Sequence, residues 1–473
     1  MSFNTEISIH YSRQSALLLD KSLSYNQEFV DLAEKLNIYL HFLNLDWTRD
    51  LGFTLHNRFF YSPHTVRAPE YSIKALNLCP KHKHNVWLWT GCTLGASLSL
   101  SESTFFLQSQ KNHPSITAQE LISHVEGGNM LSTGDTLIIG SNSAFLGALR
   151  LLVDQPPNLC EEVRNTLEII SNRDDWDEAI ETAADLLEQH QIESLNRQLS
   201  DFTRKAKLES YSIPAVLTAL VEFTKVESAA ELRRVMGHEQ VLWTPNDLGL
   251  QARQIHYHLD LYMANIAFNT VILDDPREVI SACNDALHQL SQFTPICFEK
   301  LEVYKSLVHN VLIDKNIHSQ EKLSELYNMA VSSEDPFTKE IATICRSQAI
   351  AELFDITLQE DYDEIKKSLN DAGIRVITVP GNWYDLDHKN FTVAHTHCFI
   401  NGITHQATSS WLTFRYDKQE NFRHQAFKDK IAKHVKNTFY IKGGKNELIL
   451  AGGGLRCMTL PFEINPNYLP QTE

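Results

Sequence analysis

The chain has 473 residues, of which 43% are hydrophobic and 21% charged, the composition of an ordinary globular protein. Its 42 Lys and Arg stand against 59 Asp and Glu, which gives a formal net charge of −17 at pH 7. Because nucleic-acid binding needs basic patches that displace counterions, this acidic balance argues against a nucleic-acid partner. It would suit a cationic substrate or partner, although acidic surfaces also simply confer solubility.

The N-terminal segment lacks the basic start, apolar stretch and small-residue cleavage site of a secretory signal. No apolar run approaches the ~18 residues that a membrane span needs. We therefore expect a cytoplasmic protein without a membrane partner, and export without a signal peptide stays open. The eight cysteines are scattered without a CxxC pair, so most of them are expected to be reduced, buried thiols.

In chain order, short strands and turns alternate with helices. Residues 28–66 read as a helix (EFVDLAEKLNI), a strand (YLHFLNL), a polar turn (DWTRDLGF) and a second strand (HNRFFYS). Residues 116–153 lead through EGGN into two strands joined by a Thr-Gly-Asp turn, and residues 373–473 contain further strands around the helical segment FKDKIAKHVKNTF. This recurrence predicts several similar α/β modules around one core.

Two long helix-rich stretches interrupt this pattern. Apolar residues recur at three- and four-residue steps through residues 157–235 and 276–371, as amphipathic helices require. We interpret both stretches as helical insertions beside the α/β body. The predicted division of the chain is 1–154, the first part of the body; 155–240, a helical insertion; 241–275, a body segment; 276–371, a second insertion; and 372–473, the C-terminal part of the body.

Four short motifs carry the candidate chemistry. They are Trp47-Thr48-Arg49-Asp50-Leu51-Gly52, Glu126-Gly127-Gly128-Asn129, His258-Leu259-Asp260 and Gly454-Leu455-Arg456-Cys457. A cysteine, a distant histidine and several carboxylates are what covalent catalysis on a cation requires. A guanidinium offers a planar fork of five N–H donors, and carboxylates accept paired hydrogen bonds from such a fork.

Each residue type in these motifs has a use in guanidino chemistry. Cys457 could attack the central carbon as a thiolate, which a bound cation would stabilise. His258 could protonate departing ammonia and later deprotonate a water molecule, and Glu126 could orient that histidine. Asp50 and Asp260 could hold the guanidinium from two sides.

In their order along the chain, the motifs resemble those of the pentein superfamily, which includes arginine deiminases, agmatine deiminases and amidinotransferases. WTRDLG is similar to the W-x-R-D-x-G turn, HVEGGN to E-G-G-N/D, HLD to H-x-D, and GGGLRCMT to the C-terminal Cys motif. The resemblance covers the three α/β stretches but not the two insertions. It implies an α/β fold, a pseudo-fivefold propeller of ββαβ modules with two helical insertions, and an active site at its central axis.

The resemblance also implies a role for each motif residue. Cys457, His258 and Glu126 are the expected catalytic residues, with Cys457 forming a thiouronium intermediate and the other two transferring protons. Asp50 and Asp260 are expected to bind the guanidinium. The other residues predicted to contact the substrate are Trp47, Arg49, Asn129 and Arg456. Neither a cofactor nor a metal ion is expected.

Departures from the family pattern leave the substrate open. EGGN is more typical of agmatine deiminases, whereas LRCMTLP is more typical of arginine deiminases. Arginine deiminases also carry their helical domain before the Glu motif, and here the insertions follow the Glu and H-x-D motifs. The expected activity is hydrolysis of a guanidino group to a ureido group and ammonia. Free arginine, agmatine and peptidyl arginine are the candidate substrates, with a protein substrate recognised through the insertions as one option.

Other interpretations stay open. Amidino transfer differs only in whether an amine or water attacks the intermediate. A non-catalytic pentein binding module would leave the intact Cys, His, Glu and Asp set unexplained, and a Cys–His protease lacks a matching nucleophile context. No histidine spacing matches a strong zinc pattern, so hydrogen-bonded or solvated histidines are favoured over a metal site at the candidate positions, which are His82, His84, His256, His258, His395, His397 and Cys398.

Overall fold

The computed structural model describes residues 14–43, 52–55, 58–61, 117–123, 127–190, 193–244, 258–292, 298–313, 317–387, 392–415, 417, 420–443 and 454–464. The chain divides into two compact units. The first unit comprises Met1–Asp260, Lys367–Ile374 and Cys457–Glu473. The second comprises Leu261–Lys366 and Arg375–Arg456. Along the residues described, no helix combines the length and the apolar character that crossing a membrane would require.

The described strands are short, and β1 and β13, with seven residues each, are the longest of them. In chain order the strands are β1 (Gln14–Asp20), β2 (Tyr39–Leu43), β3 (Phe53–Leu55), β4 (Arg58–Tyr61), β5 (Thr117–Glu120), β6 (Met130–Thr133), β7 (Thr136–Gly140), β8 (Gln240–Thr244), β9 (Met263–Ala267), β10 (Thr270–Asp274), β11 (Arg375–Val379), β12 (Asn382–Asp387), β13 (Thr392–Cys398), β14 (Ile403–His405), β15 (Ser410–Arg415), β16 (Asn437–Lys442) and β17 (Thr459–Ile464).

Most of the described helices lie in two runs, one between β7 and β8 and one between β10 and β11. In chain order the helices are α1 (Gln27–Lys35), α2 (Asn142–Asp154), α3 (Leu159–Ile170), α4 (Trp176–His190), α5 (Glu193–Lys205), α6 (Ile213–Met236), α7 (Pro276–Ser291), α8 (Phe298–Leu312), α9 (Ile317–Ser332), α10 (Pro336–Asp371) and α11 (Phe422–Ile431).

The first unit contains three three-stranded sheets, with the strand orders β17-β1-β2, β3-β4-β5 and β6-β7-β8. In each sheet the central strand pairs antiparallel with one neighbour and parallel with the other. A parallel neighbour requires a crossover connection. Helix α1 lies within the connection from β1 to β2, and helices α2 to α6 lie within the one from β7 to β8.

The second unit repeats this arrangement in two sheets and adds a hairpin. Strand β10 pairs antiparallel with β9 and parallel with β11, with helices α7 to α10 in the crossover. Strand β15 pairs antiparallel with β14 and parallel with β16, with helix α11 in the crossover. Strands β12 and β13 form a separate antiparallel hairpin. The same pairing pattern, a central strand with one antiparallel and one parallel neighbour, therefore recurs in five sheets of the described strands, and the predicted mixed α/β fold is confirmed. In four of these sheets the antiparallel neighbour directly precedes the central strand in the chain, whereas β1 pairs with β17.

Two of the central strands, β7 and β10, are buried along their whole length. Strand β7 reads TLIIG and strand β10 reads TVILD, and every residue of both is buried. Continuous apolar runs of this kind are typical of strands that are covered on both faces. The β6–β7 hairpin turns at Gly134, which has a φ of 56°, a value that glycine adopts without steric cost.

Helix α6 organises the helical run of the first unit. Its N-terminus is capped by Ser212, whose hydroxyl accepts a hydrogen bond from the Ala215 amide, and Pro214 occupies the first turn. Its C-terminus is closed by Gly237 in the left-handed conformation. Helices α2, α3, α4 and α5 all pack against α6, and their apolar faces form one core cluster with it.

One local prediction from the sequence is wrong. Phe53 was placed in a polar turn, whereas it begins β3. Phe53 pairs with Phe60, so that two buried aromatic residues face each other across the strands, and Thr54 pairs with Phe59. Cross-strand aromatic pairing stabilises a strand that is too short to show an alternating pattern in the sequence.

Candidate active site

Cys457 lies in a single-turn 3-10 helix, Arg456–Met458, directly before β17. Its thiol donates to the Asp260 carboxylate, with Sγ 3.9 Å from Oδ1 and 3.8 Å from Oδ2. Both side chains are buried, with only 3% of Cys457 and 1% of Asp260 exposed to solvent. Cys457 Sγ is therefore almost equally distant from the two oxygens of Asp260. A carboxylate in this orientation can accept two hydrogen bonds from one ligand bound beside the sulfur.

His258, two residues before Asp260, is buried as well. It lies against the 3-10 turn Gly127–Asn129, whose three residues are all buried. A Cβ atom placed on Gly128 would be 2.5 Å from His258 Nδ1 and 2.9 Å from Cγ. Such distances are far below van der Waals contact, so the imidazole can occupy this position only because residue 128 is a glycine. Cys457 thus contacts Asp260, and His258, two residues earlier in the chain, lies against the glycine turn.

Asn129 turns its side chain toward the sheet and helix of its own module. Its Nδ2 donates to the Gly140 carbonyl at 3.2 Å, at the end of β7, and to Ser143 Oγ at 2.7 Å, in the first turn of α2. Asn129 and Ser143 are both buried. The sequence predicted that Asn129 contacts the substrate, and the hydrogen bonds described here are to the protein.

Arg456 belongs to the second unit and is half-buried. Its backbone amide donates to the Asn401 carbonyl at 3.2 Å. A Cβ atom on Gly454 would be 2.8 Å from Asn401 Oδ1, so the segment before Cys457 packs closely on this asparagine. The predicted contact of Arg456 with the substrate stays a prediction.

Four predicted site residues lie outside the described residues. They are Glu126, Asp50, Trp47 and Arg49. Their proposed roles in orienting the histidine and binding the guanidinium remain predictions.

A carboxylate that the sequence did not single out holds the chain just before the glycine turn. Glu231, near the end of α6, accepts hydrogen bonds from the Ile122 amide at 2.8 Å, the Ser123 amide at 2.7 Å and the Ser123 hydroxyl at 2.5 Å. Arg150 Nη1 donates to the Ile122 carbonyl at 2.6 Å. One carboxylate on a helix with many charges carries no signal in the sequence, because its partners are more than 100 residues away.

Within the part of the chain that the structure describes, one group of potential metal ligands stands out. The ligand atoms of His397, Asp417 and His424 all lie within 4.8 Å of one another. Asp417 Oδ2, however, already accepts from His397 Nε2 at 2.9 Å and from the side-chain Nδ2 of Asn421. Arg423 Nη1 lies 3.8 Å from the same oxygen.

Burial and neighbouring groups shift the pKa values of Asp417 and His424. Burial acts against ionisation of Asp417, but the hydrogen bond from His397 and the nearby cationic groups together lower its pKa to about 2. Burial and the neighbouring His397 lower the pKa of His424 to about 4, so this histidine is neutral at pH 7. His424 Nδ1 completes a capping box with Asn421 at the start of α11. We interpret the group as a buried hydrogen-bond network whose carboxylate is satisfied by protein donors and an arginine.

Comparisons with known proteins add structural neighbours. No family model matches the chain, and no curated protein matches it in sequence. The structure of agmatine deiminase from C. jejuni with substrate bound is similar with a TM-score of 0.40 and 10% identity, covering 96% of this chain and 94% of that chain. Agmatine deiminase of Enterococcus faecalis has a TM-score of 0.36 and 9% identity, covering 96% of this chain and 95% of that chain.

Proposed function

We propose that this protein hydrolyses a guanidino group to a ureido group and ammonia through a covalent intermediate on Cys457. The observation that carries the proposal is the buried pair of Cys457 Sγ and the Asp260 carboxylate, 3.8 Å apart at the nearer oxygen. His258, two residues from that carboxylate, supplies a group that can transfer protons.

The pair of thiol and carboxylate favours a cationic substrate. A thiolate next to a buried carboxylate is disfavoured, because two like charges repel strongly where water is excluded. A guanidinium that donates hydrogen bonds to the Asp260 carboxylate neutralises that charge and places a cation beside the sulfur. Cys457 then loses its proton most readily when the substrate is bound.

The reaction proceeds in two covalent steps. His258 takes up the thiol proton of Cys457, and the resulting thiolate attacks the central guanidino carbon and forms a C–S bond. A C–N bond then breaks as His258 delivers that proton to the departing ammonia. Water then attacks the same carbon while His258 takes up its proton, the C–S bond breaks, and the ureido product leaves. In this scheme Glu126 orients His258, and Asp50 is a second carboxylate for the guanidinium. Trp47, Arg49 and Arg456 would line the substrate pocket.

The same proposal includes the architecture. Five sheets that share one strand-pairing pattern match the number of modules in a pseudo-fivefold propeller, and we propose that fold for this chain. The two helical runs would then be enlarged crossovers of two modules. We also propose that these helical runs recognise an arginine-bearing protein. The arginine-rich protein among the substrates offered below tests this.

The test is detection of ureido product and ammonia from purified protein that is offered arginine, agmatine and an arginine-rich protein. We expect product from one of the three, loss of product in Cys457→Ser, and a large rise in KM in Asp260→Asn. Product that forms only when an amine acceptor is added would replace hydrolysis by amidino transfer. If none of the substrates gives product, with or without an acceptor, the chain is a binding module.

A further inference from the structure

The position of the His258 ring depends on the backbone of Gly128. The nearest three ring atoms, Nδ1, Cγ and Cε1, would lie 2.5, 2.9 and 3.0 Å from a Cβ atom at residue 128. The edge of the imidazole that bears Nδ1 therefore faces the glycine Cα closely. If the turn Gly127–Asn129 moved toward or away from the imidazole, the space available to the ring would change.

The side chain of Asn129 fixes that turn to the module. Asn129 immediately precedes Met130, the first residue of β6, which pairs with Ile139 of β7. Its Nδ2 bonds to the Gly140 carbonyl and to Ser143 Oγ, so a cross-link runs from the start of β6 to the end of β7 and the start of α2. Only 1% of Asn129 and 2% of Ser143 are exposed. Buried amide hydrogens without acceptors are costly, so this arrangement tolerates little displacement.

We propose that Asn129 and Ser143 are positioning residues that hold Gly128 against His258 and thereby set the orientation of the imidazole for proton transfer. This inference rests on the proposed function, in which His258 moves protons. It assigns Asn129 a different task from the substrate contact predicted from the sequence. It also adds Ser143, which no motif contains.

The chemistry of the two acceptors makes the test specific. A carbonyl oxygen and a hydroxyl oxygen both accept from the amide of Asn129. An Asp side chain has the same shape, but it would direct a carboxylate oxygen at the Gly140 carbonyl with no proton between them. Asn129→Asp therefore breaks the cross-link without leaving a cavity, and Ser143→Ala removes one acceptor and leaves Asn129 in place.

The experiment measures kcat, KM and the pH profile of kcat/KM for Ser143→Ala, Asn129→Asp and the control Ser132→Ala. Ser132 carries a similar hydroxyl on β6, which bonds to His238 Nε2 at 2.8 Å. We expect kcat to fall about 10-fold in Ser143→Ala and about 100-fold in Asn129→Asp, because small displacements of a proton donor are costly. KM should change less than about twofold, and the limb of the profile that reports His258 should move.

A rise in KM at unchanged kcat would assign Asn129 to substrate binding and overturn the inference. Unchanged kinetics in both variants would overturn it as well. A second measurement keeps the inference independent of the reaction. The ring resonances of His258, assigned by comparison with His258→Gln, should shift in Ser143→Ala and Asn129→Asp but not in Ser132→Ala. If the wild-type protein had no activity, the proposed function would fail, and the resonances would still test the positioning.

Discussion

The two helical crossovers occupy equivalent places in their sheets, yet they are attached differently. The crossover from β7 to β8 is built around α6, which is buried along much of its length and packs against four other helices. The crossover from β10 to β11 is tied by ion pairs, such as Arg346 with Asp385 of β12 and Arg277 with Asp363. Ser347 Oγ also donates to the Tyr384 carbonyl in β12.

The helices of the two crossovers therefore contact different parts of the molecule. In the first crossover, Glu231 of α6 holds Ile122 and Ser123, which precede the glycine turn beside His258 by a few residues. In the second, Arg346 and Ser347 of α10 contact Asp385 and Tyr384 of the β12–β13 hairpin. Substitutions at the first set of contacts should therefore change turnover, and substitutions at the second should change stability.

The largest effect is expected at the glycine that faces His258. Gly128→Ala places a methyl group 2.5 Å from His258 Nδ1, so the ring or the turn must move. We expect kcat to fall by at least about 100-fold, since misplacement of a catalytic group by ~1 Å has that order of effect. Steady-state kinetics with the preferred guanidino substrate measures it.

The matched control for this change is Gly237→Ala at the end of α6. Gly237 has a φ of +78°, and a Cβ atom there meets nothing within 4 Å. Alanine at this position is strained by about 1 kcal/mol but touches no neighbour, so turnover should be retained. Equal losses of turnover in the two variants would contradict a specific contact between Gly128 and the histidine.

Acid should destabilise the polar network of the second unit. His424 has a pKa of about 4 in the folded protein, below the ordinary value of 6.5. Between these values the unfolded chain binds the proton more tightly, so the free energy of unfolding falls as pH falls from 6.5 to 4, by on the order of 2–3 kcal/mol. Chemical denaturation across this range would detect the loss.

His424→Gln sharpens that measurement, because glutamine also completes a capping box but does not titrate. The variant should lose less stability than the wild type between pH 6.5 and 4. If the two proteins lost the same amount, titration of other groups would have to account for the acid sensitivity.

Breaking the ion pair of the second crossover should cost stability without slowing the reaction. Arg346 is almost fully buried, and its partner Asp385 is about a quarter exposed. Arg346→Met leaves that carboxylate without its cation, for which we expect a loss of about 2 kcal/mol, below the usual range for fully buried pairs. Denaturant unfolding gives this value, and kcat should stay at the wild-type level.

The control is Arg173→Met, in an exposed pair with Asp175 of the first crossover, which should cost less than about 1 kcal/mol of stability.

The smallest effect is expected at the carboxylate of α6. Glu231→Ala removes three hydrogen bonds to residues 122 and 123, which lie ahead of the glycine turn in the sequence. We expect kcat to fall about 10-fold, corresponding to about 1.4 kcal/mol, with a small change in melting temperature. Glu227→Ala, an exposed residue one turn earlier on the same helix, is the control. If Glu231→Ala lowered stability but left kcat unchanged, the predicted difference between the two crossovers would be wrong.

Local signals in the sequence predicted much of the fold. The Thr-Gly-Asp turn between β6 and β7 and the helical periodicity of the two long stretches can be read within a few residues. The proximity of Cys457 and Asp260, almost 200 positions apart, was expected only through the resemblance to a family. The contact of Glu231 with Ser123 and the inward direction of Asn129 had no local signal, because both depend on how distant elements pack.

The carboxylate beside Cys457 also bears on how the protein withstands oxidants. Peroxides and alkylating agents react with thiolates far faster than with thiols, and susceptibility rises with exposure. In the structure only 3% of Cys457 is exposed, and its thiol donates to Asp260. The proposed nucleophile, kept in this state, should survive oxidative stress unmodified and become sensitive mainly while a cationic ligand occupies the site.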